Sequence, residues 1–283
     1  MQEIESHICH GGELKVFEHQ SDVLKCSMKF SIFLPPQAKD GVVPFLTFLS
    51  GLTCTHENFT TKANAYAAAA KYGIAIIAPD TSPRGDDVPD DEGAYDFGKG
   101  AGFYINATQA PWDKNFRMED YIACELNALA CKEFPLLADK QGIFGHSMGG
   151  HGALTLHLKY PDLFKTVSAF SPIVAPCDVP WGQKAFKGYL GDDSAEWENH
   201  DACKLMERAG DRSSVPTILI DQGKGDQFLD EQLKPHLFDD ACEAVGQSLT
   251  LRLHDGYDHS YYFIQSFIDD HIVHHAEVLQ HGS

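Results

Sequence analysis

Short, continuous apolar runs alternate along this chain with segments whose apolar residues recur at helical spacing. Ile74-Ala75-Ile76-Ile77-Ala78 is apolar throughout and Phe45-Leu46-Thr47-Phe48-Leu49 nearly so, and 142–144, 167–170, 217–220 and 249–253 are short, mainly apolar runs, so each predicts a strand. Between them, 57–72 is rich in alanine and closed by Gly73, and 119–134 places Ile122, Leu126, Leu129 and Ala130 at helical spacing. Helices are predicted there and over 148–159, 229–245 and 260–279. Fully apolar strands between helices mean a mostly parallel sheet covered on both faces.

The start of the chain follows another rule. Residues 14–20 and 25–34 are strand-like, separated by Ser21-Asp22-Val23-Leu24 and stopped by Pro35-Pro36, which predicts an antiparallel hairpin at one edge of the sheet. Residues 172–212 read as irregular or as short helices. The stretch 80–117 is rich in Gly and Asp and has little periodicity. Loops this long inside a compact domain are functional or disordered, and the aromatics Tyr95, Phe97, Phe103, Tyr104 and Trp112 predict an ordered, packed one. With no internal repeat and no Pro/Ser-rich linker, one α/β domain over 1–283 is expected.

Composition narrows the classes of function. The chain has 283 residues, 43% of them hydrophobic, enough for a large core. No run of 18 apolar residues occurs, so no membrane span is expected. The N-terminal Met1-Gln2-Glu3-Ile4-Glu5 has neither a basic nor an apolar leader segment, so no secretory signal is expected. The cysteines Cys9, Cys26, Cys54, Cys124, Cys131, Cys177, Cys203 and Cys242 form no Cys-x-x-Cys pair and read as reduced cytoplasmic thiols. A formal net charge of −19 disfavours nucleic acid and anionic membranes as partners. An anionic substrate would need lysines or arginines near the site to reverse that field.

The candidate chemistry centres on Gly145-His146-Ser147-Met148-Gly149, a Gly-x-Ser-x-Gly between a predicted strand and a predicted helix. A serine at the tip of such a turn crowds the residues two places either side, and glycine relieves the crowding. The Met148 N–H would sit at a helix N-terminus, where negative charge is favoured, and supply half of an oxyanion hole. In the α/β-hydrolase fold, the expected fold class here, an acid and then a histidine follow the serine, each after a strand. Asp221 and Asp226 follow strand 217–220, and His254 and His259 follow strand 249–253. Asp221 and His254 lie at strand ends, whereas Asp226 follows Gly223-Lys224-Gly225 and His259 sits at a loop-to-helix junction. Loop geometry favours Asp226 and His259.

The second oxyanion donor is expected after strand 45–49, where the Leu52 N–H is the candidate. Cys54, two residues on, is either a thiol lining the site or a small buried residue. His271, His274 and His275 on the last helix lack a recognised ligand spacing, so no metal is expected there.

Several longer motifs carry a resemblance. They are Ser50-Gly51-Leu52-Thr53-Cys54-Thr55, Ala78-Pro79-Asp80-Thr81-Ser82-Pro83-Arg84-Gly85 and Gly100-Ala101-Gly102-Phe103-Tyr104, then Pro111-Trp112, Arg117-Met118 and Tyr121. The elbow continues through Gly150-His151-Gly152-Ala153, and Phe170-Ser171-Pro172, Gly225-Asp226 and Tyr257-Asp258-His259-Ser260-Tyr261-Tyr262-Phe263 follow. Over nearly its whole length the chain resembles the S-formylglutathione hydrolase (esterase D) family. The resemblance implies a serine thioesterase that cleaves S-formylglutathione to glutathione and formate in formaldehyde detoxification. It implies a triad of Ser147, Asp226 and His259, an oxyanion hole at Leu52 and Met148, and Cys54 beside the site. It also implies no cofactor, a cytoplasmic location and a homodimer.

Under that reading Ser147 attacks the formyl carbon, the thiolate of glutathione leaves, and water hydrolyses the formyl-enzyme with His259 as base. The 80–117 loop and Trp181 are expected to wall the pocket. Lys62, Arg84, Lys99, Lys114 or Arg117 are candidates to bind the glutathione carboxylates. Competing expectations are a short-chain carboxylesterase with the same triad, a hydrolase-fold protein that only binds a ligand, and redox control through Cys54.

Overall fold

The computed structural model describes residues 1–281. Nine strands, β1 (Gln2–Cys9), β2 (Gly12–Gln20), β3 (Ser27–Leu34), β4 (Val43–Leu49), β5 (Ala75–Pro79), β6 (Leu136–His146), β7 (Phe164–Phe170), β8 (Ile218–Gly223) and β9 (Leu249–His254), form one sheet. Its order is β1-β2-β3-β5-β4-β6-β7-β8-β9. The pairs from β5 to β9 are parallel, and β1, β2 and β3 add antiparallel pairs at one edge.

The parallel strands are apolar on both faces because both faces are covered. Phe45, Leu49, Ala75, Ile77 and Ile143 point into one core with the helices α3 (118–133), α4 (Met148–Lys159), α5 (Pro180–Leu190) and α6 (Pro235–Ala244). Their alternates Leu46, Phe48, Ile76, Ala78 and Phe144 point into the other, under α1 (His56–Lys62), α2 (Tyr66–Tyr72) and α7 (Tyr261–His281). The two-residue side-chain period of a strand makes this division. Among the described residues, no helix is long and apolar enough to cross a membrane.

The structure departs from the sequence pattern in three places. The predicted hairpin gains β1, whose residues are nearly all exposed and so carry no apolar alternation. It joins β2 through His10-Gly11, both at positive φ, 48° and 77°. The predicted helix 57–72 is two helices, broken where Asn64 takes a left-handed φ of 58°, a conformation asparagine tolerates. The predicted helix 229–245 breaks at Lys234, φ 47°, before Pro235, which has no N–H to continue the hydrogen-bond ladder. The region 172–212, read as irregular or as short helices, holds the three-turn helix α5 and shorter helical turns after it. The 80–117 stretch is packed as expected, with Phe97, Phe103, Tyr104 and Phe116 buried.

Candidate active site

The chain leaves β4 toward β5 on one side and continues from β6 toward β7 on the other, so the strand order reverses between β4 and β6. Open α/β sheets bind ligands in the crevice at such a switch point, outside the carboxyl ends of the strands. The loop after β4 carries Gly51-Leu52, and the turn after β6 carries Ser147.

Ser147 holds φ 59° and ψ −118°, a strained conformation for a non-glycine residue. The flanking glycines are sterically required. A Cβ on Gly145 would lie 2.2 Å from the Gly149 carbonyl oxygen, and one on Gly149 would lie 1.9 Å from that of Leu49. The strained turn is stapled to its neighbours. The Ser147 N–H donates to the Phe170 carbonyl at 3.0 Å, and the Ser171 N–H donates to the Asp221 carbonyl at 2.8 Å.

The two candidate acids and two candidate histidines sort into separate sets. His259 Nδ1–H donates to Asp226 Oδ2 at 2.5 Å. Asp226 also accepts from the Phe228 N–H at 2.9 Å and the Gln222 amide at 3.2 Å. Burial pushes the Asp226 carboxyl up, but His259 and these donors outweigh it and hold it below the usual carboxylate range. Asp221 is bound elsewhere. Arg252 donates to both its oxygens, at 2.6 and 2.5 Å, and His254 and His271 donate from Nε2 at 3.1 and 3.2 Å.

The loop 50–54 abuts the elbow, since a Cβ on Gly51 would lie 3.2 Å from Ser147 Cβ. Among the described residues, neither the Leu52 nor the Met148 N–H donates to a protein acceptor. The 80–117 stretch braces this loop. Tyr104 donates its hydroxyl to the Ser50 carbonyl at 2.8 Å, and the Thr53 N–H donates to the Gly100 carbonyl at 2.9 Å. Gly152 on α4 makes room for this, because a Cβ there would lie 2.6 Å from the Tyr104 ring.

Ser147 and His259 open on one cavity of about 210 Å³, with Leu52, Cys54, Tyr95, Trp181 and Phe228 among its walls. Ser147 is only 3% exposed. Trp181 Nε1–H donates to the Tyr95 hydroxyl at 3.0 Å. The Phe228 ring lies 4.7 Å from that of Trp181 and 5.0 Å from that of His259. Sequence reasoning named Trp181 but not Phe228; position two after Asp226 is the signal that could have found it. It also passed over His146, whose ring lies 4.4 Å from that of His259. Burial above all, with a smaller contribution from the neighbouring His259, pushes the His146 imidazole well below its usual value, so it is neutral.

The remaining candidates divide by partner. Arg84 Nε donates to both Asp80 oxygens, and its Nη2 donates to the Cys54 carbonyl at 3.0 Å, so it braces the loop. Arg117 pairs with Asp120 at 2.5 Å. Lys99 and Lys114 do not line the cavity. Lys62 has no carboxylate partner among the described residues, and its Nζ stands 6.0 Å from the Tyr261 ring centre. Burial pushes the Cys54 thiol up, which disfavours the thiolate. All eight cysteines are free. On α7, His271 and His275 share the Ser168 hydroxyl at 2.8 Å each, and His274 donates to the Val167 carbonyl at 3.2 Å.

A mostly parallel sheet, a serine on a strained elbow at its switch point and a buried acid–histidine pair facing the same cavity define the serine-hydrolase class on an α/β-hydrolase fold. Comparisons with known proteins sharpen this. Residues 21–274 match the Esterase family model. The chain is 53% identical to an S-formylglutathione hydrolase of Arabidopsis thaliana, over 99% of this chain and 98% of that protein. It is 50% identical to one of Rattus norvegicus, over 99% of each. The solved structure of an S-formylglutathione hydrolase from Agrobacterium tumefaciens superposes with a TM-score of 0.96 at 48% identity, covering 99% of this chain and all of that one. The chain belongs to the S-formylglutathione hydrolase family.

Proposed function

We propose that this chain hydrolyses S-formylglutathione to glutathione and formate through a formyl-enzyme on Ser147. The Asp226–His259 hydrogen bond, opening on the cavity that holds Ser147, carries the reading. In the first step the Ser147 oxygen bonds to the formyl carbon while His259 takes its proton, and the carbonyl becomes an oxyanion facing the Leu52 and Met148 N–H groups. One such donor contributes about 3 kcal/mol of transition-state stabilisation. The C–S bond then breaks and the thiol leaves with the proton. Water repeats the sequence on the formyl ester and releases formate. Asp226 holds the imidazole in the tautomer that can accept at Nε2 and stabilises its charged form.

A cavity of about 210 Å³ with aromatic walls suits a small acyl group. Those walls also fit the short acyl of a simple ester, so a substrate panel is the test. Wild type should give a higher kcat/KM for S-formylglutathione than for a short-chain aryl ester, and Ser147→Ala should lower both by about 10⁶. A preference for the ester would make the chain a carboxylesterase. The same reading places all of 1–283 in one catalytic domain, working in the cytoplasm as a homodimer. Light scattering reads the last point as twice the 31.3 kDa of one chain.

A further inference from the structure

A chamber of about 210 Å³ holds the reacting carbonyl and sulfur but not a tripeptide, so most of a glutathionyl group must lie outside it. A second, larger cavity of about 540 Å³ begins at the residue after His259, lined by Thr61, Lys62, Ser260, Tyr261, Tyr262 and Gln265. Consecutive Cα atoms are 3.8 Å apart, and a peptide spans about 3.5 Å per residue. His259 lines the first cavity and Ser260, the next residue, lines the second, so the two spaces are neighbours within reach of one peptide.

Tyr261 lines the second cavity and packs toward the first. Lys62 stands over its ring on one side, and the His146 ring lies 6.0 Å from it toward the catalytic cavity. The Lys62 charge reaches Cys54, which lines that cavity. The groove also lies at the N-terminus of the 21-residue α7, where the Tyr262 N–H already donates to Ser260 Oγ at 3.3 Å and Asp258 accepts from Ser260, so the cation of the groove is Lys62. The side chains of Tyr262, 77% exposed, and of Gln265 have no hydrogen-bond partner among the described residues. On a chain of net charge −19, a peptide with two carboxylates and only one ammonium needs such a local reversal of field.

Resting on the thioesterase reading above, we propose that the Lys62–Gln265 groove is the subsite for a carboxylate of the glutathionyl group, with Lys62 as its cation. The test compares Lys62→Ala, Lys62→Glu and Lys62→Arg with wild type. For S-formylglutathione, the alanine variant should raise KM about fivefold at unchanged kcat, the glutamate variant more, and the arginine variant should restore binding. Hydrolysis of a neutral aryl ester should be unchanged in all three.

Inhibition of that ester reaction by S-methylglutathione should weaken by the same factor. Its glycyl ethyl ester distinguishes the two carboxylates: a loss of Lys62 dependence with the ester assigns the glycyl end, and retention assigns the γ-glutamyl end. Equal losses on the neutral ester and the thioester, or no change on either, overturn the proposal. Wild type that ignores S-formylglutathione yet is inhibited by S-methylglutathione through Lys62 would overturn the thioesterase reading and leave this subsite standing. A wild type not inhibited at all overturns the subsite. Lys62 ends α1, so thermal midpoints are read alongside.

Discussion

Two acid–histidine sets stand at the carboxyl ends of the same adjacent strands, β8 and β9, with their acids five residues apart. Around Asp221 the carboxylate is saturated: a two-point Arg252 bridge and two histidines take both oxygens, and Arg252 runs on to Asp270 at 2.7 Å. Around Asp226 one imidazole and two neutral donors face the acid, no cation among the described residues is paired with it, and the far side of the ring meets a cavity. Under the proposed function, identical residue types thus make a lock in one place and a proton relay in the other. Counter-charge and access to a cavity separate the two roles.

Exchanging acid for amide separates the sets. Asp226→Asn keeps the side-chain shape but loses the tautomer control, and kcat should fall about 10⁴-fold with a thermal midpoint within about 2 °C of wild type. A midpoint drop with intact kcat would invert the assignment. Asp221→Asn should do the reverse. Leaving Arg252 and two histidines without their carboxylate costs about 3 kcal/mol, read as a midpoint lower by roughly 6–12 °C, while kcat of the folded fraction stays within about threefold. Burial works to raise the Asp221 carboxyl, but His271, Arg252 and His254 hold it well below the usual range. Its stabilising effect is therefore complete above the unfolded value near about pH 4 and is lost as pH falls through the folded one. The midpoint gap between wild type and Asp221→Asn should accordingly be full at neutral pH and close in acid.

The smallest effect is expected at Cys54, which lines the cavity but belongs to neither set. Cys54→Ser should leave kcat/KM within about threefold. Because burial raises this thiol, alkylation of wild type by iodoacetamide should be slow at neutral pH and accelerate only above the ordinary thiol value of 9.0. Rapid inactivation at pH 7 would restore the case for a reactive, redox-responsive thiol.

Much of this was legible beforehand, for identifiable reasons. Runs such as 45–49 and 74–78 are apolar on both faces because both faces are buried, so the parallel sheet is written into them. The glycines around Ser147 are demanded by contacts under 2.5 Å, which leaves a motif. What was illegible depends on pairing in space. Nothing in the spacing of Asp221, Asp226, His254 and His259 states which acid meets which imidazole, because Arg252 and His271 decide it from another strand and a helix. β1 escaped notice because an exposed edge strand needs no apolar period. Tyr95 stood out only as one of the aromatics of a packed loop, and the tertiary fold makes it the partner of the Trp181 indole.

The chamber bordered by Tyr95, Trp181 and Phe228 also governs traffic. In a cavity of about 210 Å³, incoming water and the departing thiol would share the same small space. Free glutathione waiting there competes with water for the same one-carbon fragment. Accumulated product would then send the first half-reaction backwards instead of merely occupying an empty seat.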